Sequence, residues 1–273
     1  MSGPAGALRS RVLTAMVLAA VLLVVVLGLP EGATLALVAL VVLAGAWEWS
    51  ALLGAPAAAA RGGYVLLVAV LLGAAWAGTR EPAGLRALLF AASAWWLVAL
   101  LWLSMAPGRV RGWSAGLAGL FALVPAGISL AEIRLAPGIG AALTLFALVL
   151  IVAADTGAFF AGRRFGRVHL APRVSPGKTW EGVIGGLLLA ALIAWAGAAW
   201  FDVAASRMLP VGLAAAAFSV VGDLTESMLK RHAGVKDSGS IFPGHGGVLD
   251  RIDSVTAGAP VLLLGLLQIE VVA

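Results

Sequence analysis

The 273-residue sequence contains no cysteine. Disulfides, thiolate metal sites and a cysteine nucleophile are thereby excluded. Charge is scarce too: Asp, Glu, Lys and Arg make up 11% of the chain, against about 25% in an average soluble domain. No GxxxxGK[ST] segment is present, which excludes a Walker-type phosphate site. Instead, 62% of the residues are hydrophobic and the mean hydropathy is +1.06. A soluble globule has too little interior to hide so much apolar surface. The expected fold class is all-α, a polytopic transmembrane helical bundle with lipid as its solvent. A formal charge of +5 and a pI near 10.7 would point to nucleic acid in a soluble protein. Here no nucleic-acid partner is expected, because the location of the charges matters more than their sum.

Crossing a bilayer core about 30 Å thick takes roughly 20 helical residues. The apolar runs give nine expected crossings: Arg11–Leu29, Gly32–Leu52, Gly63–Gly78, Gly84–Met105, Trp113–Ile133, Gly138–Gly162, Glu181–Phe201, Met208–Lys230 and Val255–Val272. Pro30, Pro56, Pro82, Pro107, Pro137 and Pro210 fall at or near the breaks. Arg9 and Arg11 ahead of the first run also resemble the start of a cleavable leader, but the run is long enough to cross and stay. Gly185, Gly186, Ala190, Ala191 and Ala194 read as positions where helices approach closely. Trp95, Trp96, Trp113 and Trp180 read as interfacial anchors or packing.

The basic residues are divided unevenly by these crossings. Arg9, Arg11, Arg61, Arg109, Arg111, Arg163, Arg164, Arg167, Arg173, Lys178, Lys230, Arg231, Lys236 and Arg251 fall on the N-terminal side. Only Arg80, Arg86, Arg134 and Arg207 fall on the other. The positive-inside rule places the N-terminus and its loops in the cytoplasm and the C-terminus outside.

Two segments on that side, expected as loops after the sixth and eighth spans, differ from the rest. The first runs from Asp155 to Gly166 and on through Ser175-Pro-Gly-Lys178-Thr179-Trp-Glu181-Gly182. The second runs from Gly222-Asp223-Leu-Thr-Glu226-Ser227 to Asp253-Ser254. Asp155, Glu181, Asp223, Glu226, Asp237, Asp250 and Asp253, seven of the 13 acids, lie there. Acids in apolar helices are expensive to keep and point to function. Asp223 and Glu226, three apart, share a helix face, and Asp250 and Asp253 do so if their segment is helical. Such hard oxygen donors suit Mg²⁺, which takes a few carboxylates plus water and substrate phosphate. Pro243-Gly244-His245-Gly246-Gly247 can hardly form regular helix, and its backbone N–H groups can approach an anion. Lys230, Arg231, Lys236 and Arg251 supply positive charge beside it. Carboxylates, glycine loop and cations together indicate a metal–polyphosphate site and phosphoryl or nucleotidyl transfer.

Some residues have plainer readings. Arg109 and Arg111 read as contacts to anionic lipid or as topology determinants. Arg163, Arg164 and Arg167 stand evenly between that reading and function. Asp155 reads as a helix-end cap, and Glu48, between Trp47 and Trp49, as interfacial. His169 and His232 are isolated, and His245 is not assigned as a base.

Ser227-x-x-Lys230-Arg231-x4-Lys236-Asp237-x-Gly239-x2-Phe242-Pro243-Gly244-His245-Gly246-Gly247-x2-Asp250-Arg251-x-Asp253 resembles the signature of the phosphatidate cytidylyltransferases, the CDP-diacylglycerol synthases. Asp155 to Gly166 and Ser175 to Gly182 resemble that family's preceding segments. The resemblance covers Asp155–Ser254, and the N-terminal half matches in hydropathy only. It implies that phosphatidic acid and CTP give CDP-diacylglycerol and pyrophosphate in phospholipid biosynthesis, with Mg²⁺ required. It also implies a two-cation centre on Asp223 and Asp250, a lipid-accessible cavity and a homodimer. The expected setting is a bacterial inner membrane, with the site facing the cytoplasm.

On this reading residues 1–150 supply packing, the lipid cavity and dimer contacts, and 151–273 form the catalytic region. Asp223 and Asp250, with Glu226, would hold metal, and Asp253, Lys236 and Asp237 would stand close to the reaction. Ser175, Lys178, Thr179, Lys230, Arg231, Gly244, His245, Gly246, Gly247 and Arg251 would bind substrate. Asp223, eight residues before Arg231, would lie roughly 12 Å below the helix end. A CTP-dependent transferase or kinase acting on another membrane lipid would use a similar site. An ion-coupled secondary transporter also carries intramembrane acids. Against the transporter, the acids here gather near one surface, and no repeated pair of broken helices occurs.

Overall fold

The computed structural model describes residues 16–17, 19–54, 57–242 and 246–272. Arg9, Arg11, the first turns of the expected first span, Pro56, Pro243, Gly244 and His245 lie outside the described residues. Within the described residues each apolar run is helical. α1 spans Ala19–Gly28, and its last turn, Val24–Gly28, is a π-helix. There follow α2 (Glu31–Leu52), α3 (Ala58–Gly78), α4 (Pro82–Met105), α5 (Gly112–Arg134) and α6 (Gly140–Phe165). A short hairpin, β1 (His169–Ala171) and β2 (Ser175–Thr179), leads to α7 (Trp180–Trp200), α8 (Ala205–His232) and α9 (Leu249–Gln268).

Among the described residues seven helices, α2 to α8, are long and apolar enough to cross a membrane. α9 has 20 residues, but Asp250, Arg251 and Asp253 open it. The fold is an all-α polytopic membrane bundle. Leu66, Val70, Phe90, Leu97, Leu188 and Trp195 stand exposed on its outside, as lipid-facing side chains do.

The boundaries differ from the hydropathy reading where polar residues join a helix. Asp155 to Phe165 are the last turns of α6, not a loop, and Gly222 to His232 belong to α8. The sixth and eighth spans, expected to end at Gly162 and Lys230, run less than one turn further, to Phe165 and His232, because apolarity is not required for helix once the chain leaves the lipid core. Pro210, expected at a break, lies inside α8, as Pro125 and Pro260 lie inside α5 and α9. Embedded helices tolerate proline when their surroundings satisfy the freed carbonyl. Pro82 starts α4 as its first residue, where its missing N–H removes no helical bond.

α5 is buried along most of its length and α3 along little of it, so α5 is the axis of the bundle. One apolar core joins Leu89, Ile128, Leu143, Leu150, Met208 and Leu262. A second joins Trp49, Trp96, Leu123, Met228, Leu229 and Leu249. The second also takes in Val174 of the hairpin turn, so it underlies the end of the bundle where the charged segments meet. Of the four tryptophans read as interfacial anchors or packing, Trp96 is packed in the core, while Trp113 and Trp180 are exposed.

α6 and α7 form an antiparallel pair packed backbone on backbone. A Cβ on Gly157 would lie 2.6 Å from the carbonyl oxygen of Gly185, and one on Gly186 would lie 2.6 Å from that of Ala154. Only small side chains permit this approach. Ala190 and Ala194 continue the seam, fully buried.

Candidate active site

Four helix ends meet at the site. They are the C-terminal turns of α6 and α8 and the N-terminal turns of α7 and α9. The α6–α7 hairpin folds over them. Its two strands pair antiparallel, with His169 opposite Thr179 and Ala171 opposite Ser175. The Thr179 hydroxyl accepts from the Gly182 N–H at 3.1 Å and caps α7. The exposed Glu181 carboxylate accepts from the N–H groups of Arg167 and Val168, which closes the connection from α6.

A cavity of about 470 Å³ lies under this hairpin. Asp155 of α6, Asp223 of α8 and Asp250 and Asp253 of α9 line it, together with Arg163, Lys178 and Arg251. Asp250 and Asp253 are both helical and both reach it, as their spacing anticipates. Lys178 meets Asp223 at 2.5 Å, and the Ser227 hydroxyl donates to the other Asp223 oxygen at 3.3 Å. The Ser254 hydroxyl donates to Asp155 at 3.2 Å. Asp155 is mid-helix, so it does not cap a helix end as its sequence position suggested. Gly222 lets α9 come this close: a Cβ there would lie 2.6 Å from the carbonyl oxygen of Asp253.

Asp250 is the most heavily bonded acid. Its Oδ2 accepts from the N–H of Gly247 (2.8 Å), the N–H of Ser238 (2.9 Å) and the Ser238 hydroxyl (3.0 Å). Its Oδ1 accepts from Lys230 at 2.6 Å. Lys230 is buried and also pairs with Glu226 at 2.9 Å. Expected at the substrate, Lys230 is thus committed to two carboxylates, and neither it nor Glu226 lines the cavity. Glu226 shares a helix with Asp223 but sits behind it, inside the packed bundle.

Of the remaining expected site residues, Thr179 lines the cavity and Ser175, Arg231, Lys236 and Asp237 do not. Arg231, Lys236 and Asp237 are exposed, and Arg231 donates to the Val235 carbonyl at 3.3 Å. Gly246 has φ +76, and a Cβ there would strike Asp250. Glycine at that position therefore meets both a backbone and a steric need. Gly244 and His245 lie outside the described residues. Phe242 and Gly246 on either side of them pair, with the Phe242 N–H donating to the Gly246 carbonyl at 2.9 Å.

Sequence reasoning missed Glu48 of α2. It is buried, not interfacial. Its carboxylate accepts from the N–H groups of Val248 (3.0 Å) and Leu249 (2.8 Å) and from the Ser238 hydroxyl (2.8 Å). A lone acid between two tryptophans carries no signal of this. Asp155 and Arg163 were visible only as members of a charged segment.

Among the described residues, the acidic donors that line the cavity are hard oxygens, and no histidine lines it. Among the described residues no group of three or more potential ligands is arranged as a preformed metal cage.

The polytopic helical bundle thus gathers four carboxylates and three cationic side chains around one cavity. The chain belongs to the cytidylyltransferase family, which it matches over residues 9–268. It is 42% identical over 266 residues to a phosphatidate cytidylyltransferase of Pseudomonas aeruginosa, covering 93% of this chain and 95% of that protein. Identity to the Haemophilus influenzae phosphatidate cytidylyltransferase is also 42%, over 278 residues, covering 93% of this chain and 96% of the other. A chloroplastic phosphatidate cytidylyltransferase of Arabidopsis thaliana is 47% identical over 124 residues, which span 42% of this chain and 30% of that one.

Proposed function

We propose that the protein transfers CMP from CTP to phosphatidic acid, giving CDP-diacylglycerol and pyrophosphate. The observation that carries this reading is the cavity on which Asp155, Asp223, Asp250 and Asp253 converge with Lys178, Arg163 and Arg251. Near full-length similarity to phosphatidate cytidylyltransferases supports the choice of substrates.

A phosphatidate oxygen attacks the α-phosphorus of CTP, the bond to the β-phosphate oxygen breaks, and its electron pair leaves with pyrophosphate. A phosphate monoester, with a second pKa of about 6, is already largely dianionic near neutral pH. No side chain is therefore required as a strong base. Lys178, Arg163 and Arg251 bind the triphosphate and take up the charge that moves onto pyrophosphate. Asp223 and Asp250 would hold Mg²⁺, with the Asp250 oxygen that faces Lys230 as the one to share. Bound there, the ion neutralises triphosphate charge. Glu226 keeps Lys230 charged and in place. A second cation would draw on Asp155 and Asp253.

The basic residues Arg163, Arg164, Arg167, Lys178, Arg231, Lys236 and Arg251 gather at the site end of the bundle, which supports a cytoplasmic active site in a bacterial inner membrane. The lightly buried α3 and α4 leave apolar faces for the homodimer that the resemblance implies.

The assay uses protein in detergent with phosphatidic acid and labelled CTP, with and without Mg²⁺. CDP-lipid and pyrophosphate in equal amounts, only with the cation, are expected. CDP plus a phosphorylated lipid would instead show a kinase. Solute movement in sealed vesicles without CTP consumption would show a transporter.

A further inference from the structure

The Val248 and Leu249 amides, at the N-cap and first position of α9, have no side-chain cap from their own segment. Val248 precedes the helix in an α-helical backbone conformation, and its side chain cannot accept. The acceptor comes from α2: Glu48 takes the Val248 N–H on one oxygen and the Leu249 N–H on the other. The Ser238 hydroxyl faces Glu48 Oε2 at 2.8 Å and Asp250 Oδ2 at 3.0 Å. With one proton to donate, it bonds one carboxylate at a time, and its position within reach of both keeps Ser238 between them. Two glycines make room for this. A Cβ on Gly239 or on Gly247 would run into the Glu48 carboxylate, which its three donors hold in place. Gly247 also donates to Asp250, so one loop residue touches both acids.

We infer that Glu48 is a positioning residue for Asp250: the N-terminal half of the chain fixes the start of α9, and with it the carboxylate at the reacting phosphates. The inference rests on the nucleotidyl-transfer reading above. It gives the N-terminal half a part in catalysis besides packing. A buried carboxylate that accepts backbone N–H bonds is a strong local constraint, because each donor it satisfies would otherwise be left unpaired away from water.

The test uses the full chain in detergent with Glu48→Gln, Glu48→Ala and Gly247→Ala. Glutamine keeps the size but presents an NH2 group to one amide donor. Glu48→Gln is expected to lower kcat by about tenfold or more with the KM for phosphatidic acid within about twofold, the pattern of misplaced chemistry rather than lost binding. Amide exchange in a peptide covering 238–250 should rise about tenfold, with α3 and α6 unchanged. Gly247→Ala should do the same, and the Glu48→Ala/Gly247→Ala pair should be no worse than the poorer single variant. A normal kcat in Glu48→Gln, or exchange raised evenly through every helix, would overturn the inference. If the unaltered protein makes no CDP-lipid, the transfer reading fails, and local exchange at 238–250 alone then decides whether Glu48 holds the loop.

Discussion

Lys178, on the hairpin between α6 and α7, pairs with Asp223, within α8, at 2.5 Å, both side chains about three-quarters buried at the mouth of the cavity. A cation would compete with the ammonium for Asp223, and a phosphate would compete with Asp223 for the ammonium. The pair links the flap over the cavity to its floor. Lys178 is therefore placed to exchange a carboxylate partner for a triphosphate oxygen when CTP enters.

Replacing Lys178 should weaken CTP use without unfolding the protein. Lys178→Ala is expected to lower kcat/KM for CTP by about 100-fold, as loss of a charge-stabilising donor does. Lys178→Arg should recover part of it. Steady-state kinetics with CTP varied at saturating phosphatidic acid measures the effect. Equal kinetics in Lys178→Ala and the parent would remove Lys178 from the triphosphate site.

Asp223 and Asp250 should be indispensable. Asp223→Asn and Asp250→Asn keep shape and remove charge, so each is expected to abolish nearly all CTP-dependent CDP-lipid formation. Size-exclusion profiles and helical circular dichroism should stay at parental values for Asp223→Asn. Asp250→Asn should also soften the loop, because its Oδ2 accepts three bonds. Near-normal turnover in both would sink the metal assignment.

The helices were legible because lipid demands long apolar runs, and α2 to α9 fall on the expected spans within a few residues. The loop expected from Asp155 was not one: Asp155 to Phe165, which holds Asp155, Arg163 and Arg164, is helical throughout. The hairpin was not legible, since β2 is only five residues long and contains Pro176 and Gly177. Asp223, Asp250 and Asp253 stood out as acids beside a glycine loop, and two helices, α8 and α9, bring them to one cavity. Which cations reach it depended on packing. Lys178 and Arg251 do, whereas Lys230 turns inward between Glu226 and Asp250. Glu48 was hidden because its partners lie 200 and 201 residues along the chain, a separation that local pattern cannot report.

Gly222 should be intolerant of any side chain. Gly222→Ala would press a methyl group on the Asp253 carbonyl and on Ala257, forcing α9 away from α8. The expected loss is about 1–3 kcal/mol in stability. A shift of this kind next to Asp223 and Asp253 should also reduce kcat by about tenfold or more. Gly73→Ala is the control, since a Cβ there meets nothing within 4 Å, and it should match the parent in both measurements. Thermal unfolding in detergent and CTP turnover on the same preparations provide the comparison.

The Lys230 triad makes a prediction of opposite signs. One buried ammonium serves Glu226 at 2.9 Å and Asp250 at 2.6 Å. Lys230→Met leaves two carboxylates facing each other without a counter-ion. Breaking a buried pair in this way costs about 3–5 kcal/mol, so the variant should unfold at markedly lower temperature. Adding Glu226→Gln removes one of the two unpaired charges and should restore part of the lost stability, because the sites are coupled. Activity should not return with it, since Asp250 still lacks the donor to its Oδ1. A double variant no more stable than Lys230→Met would show that Glu226 and Lys230 act independently.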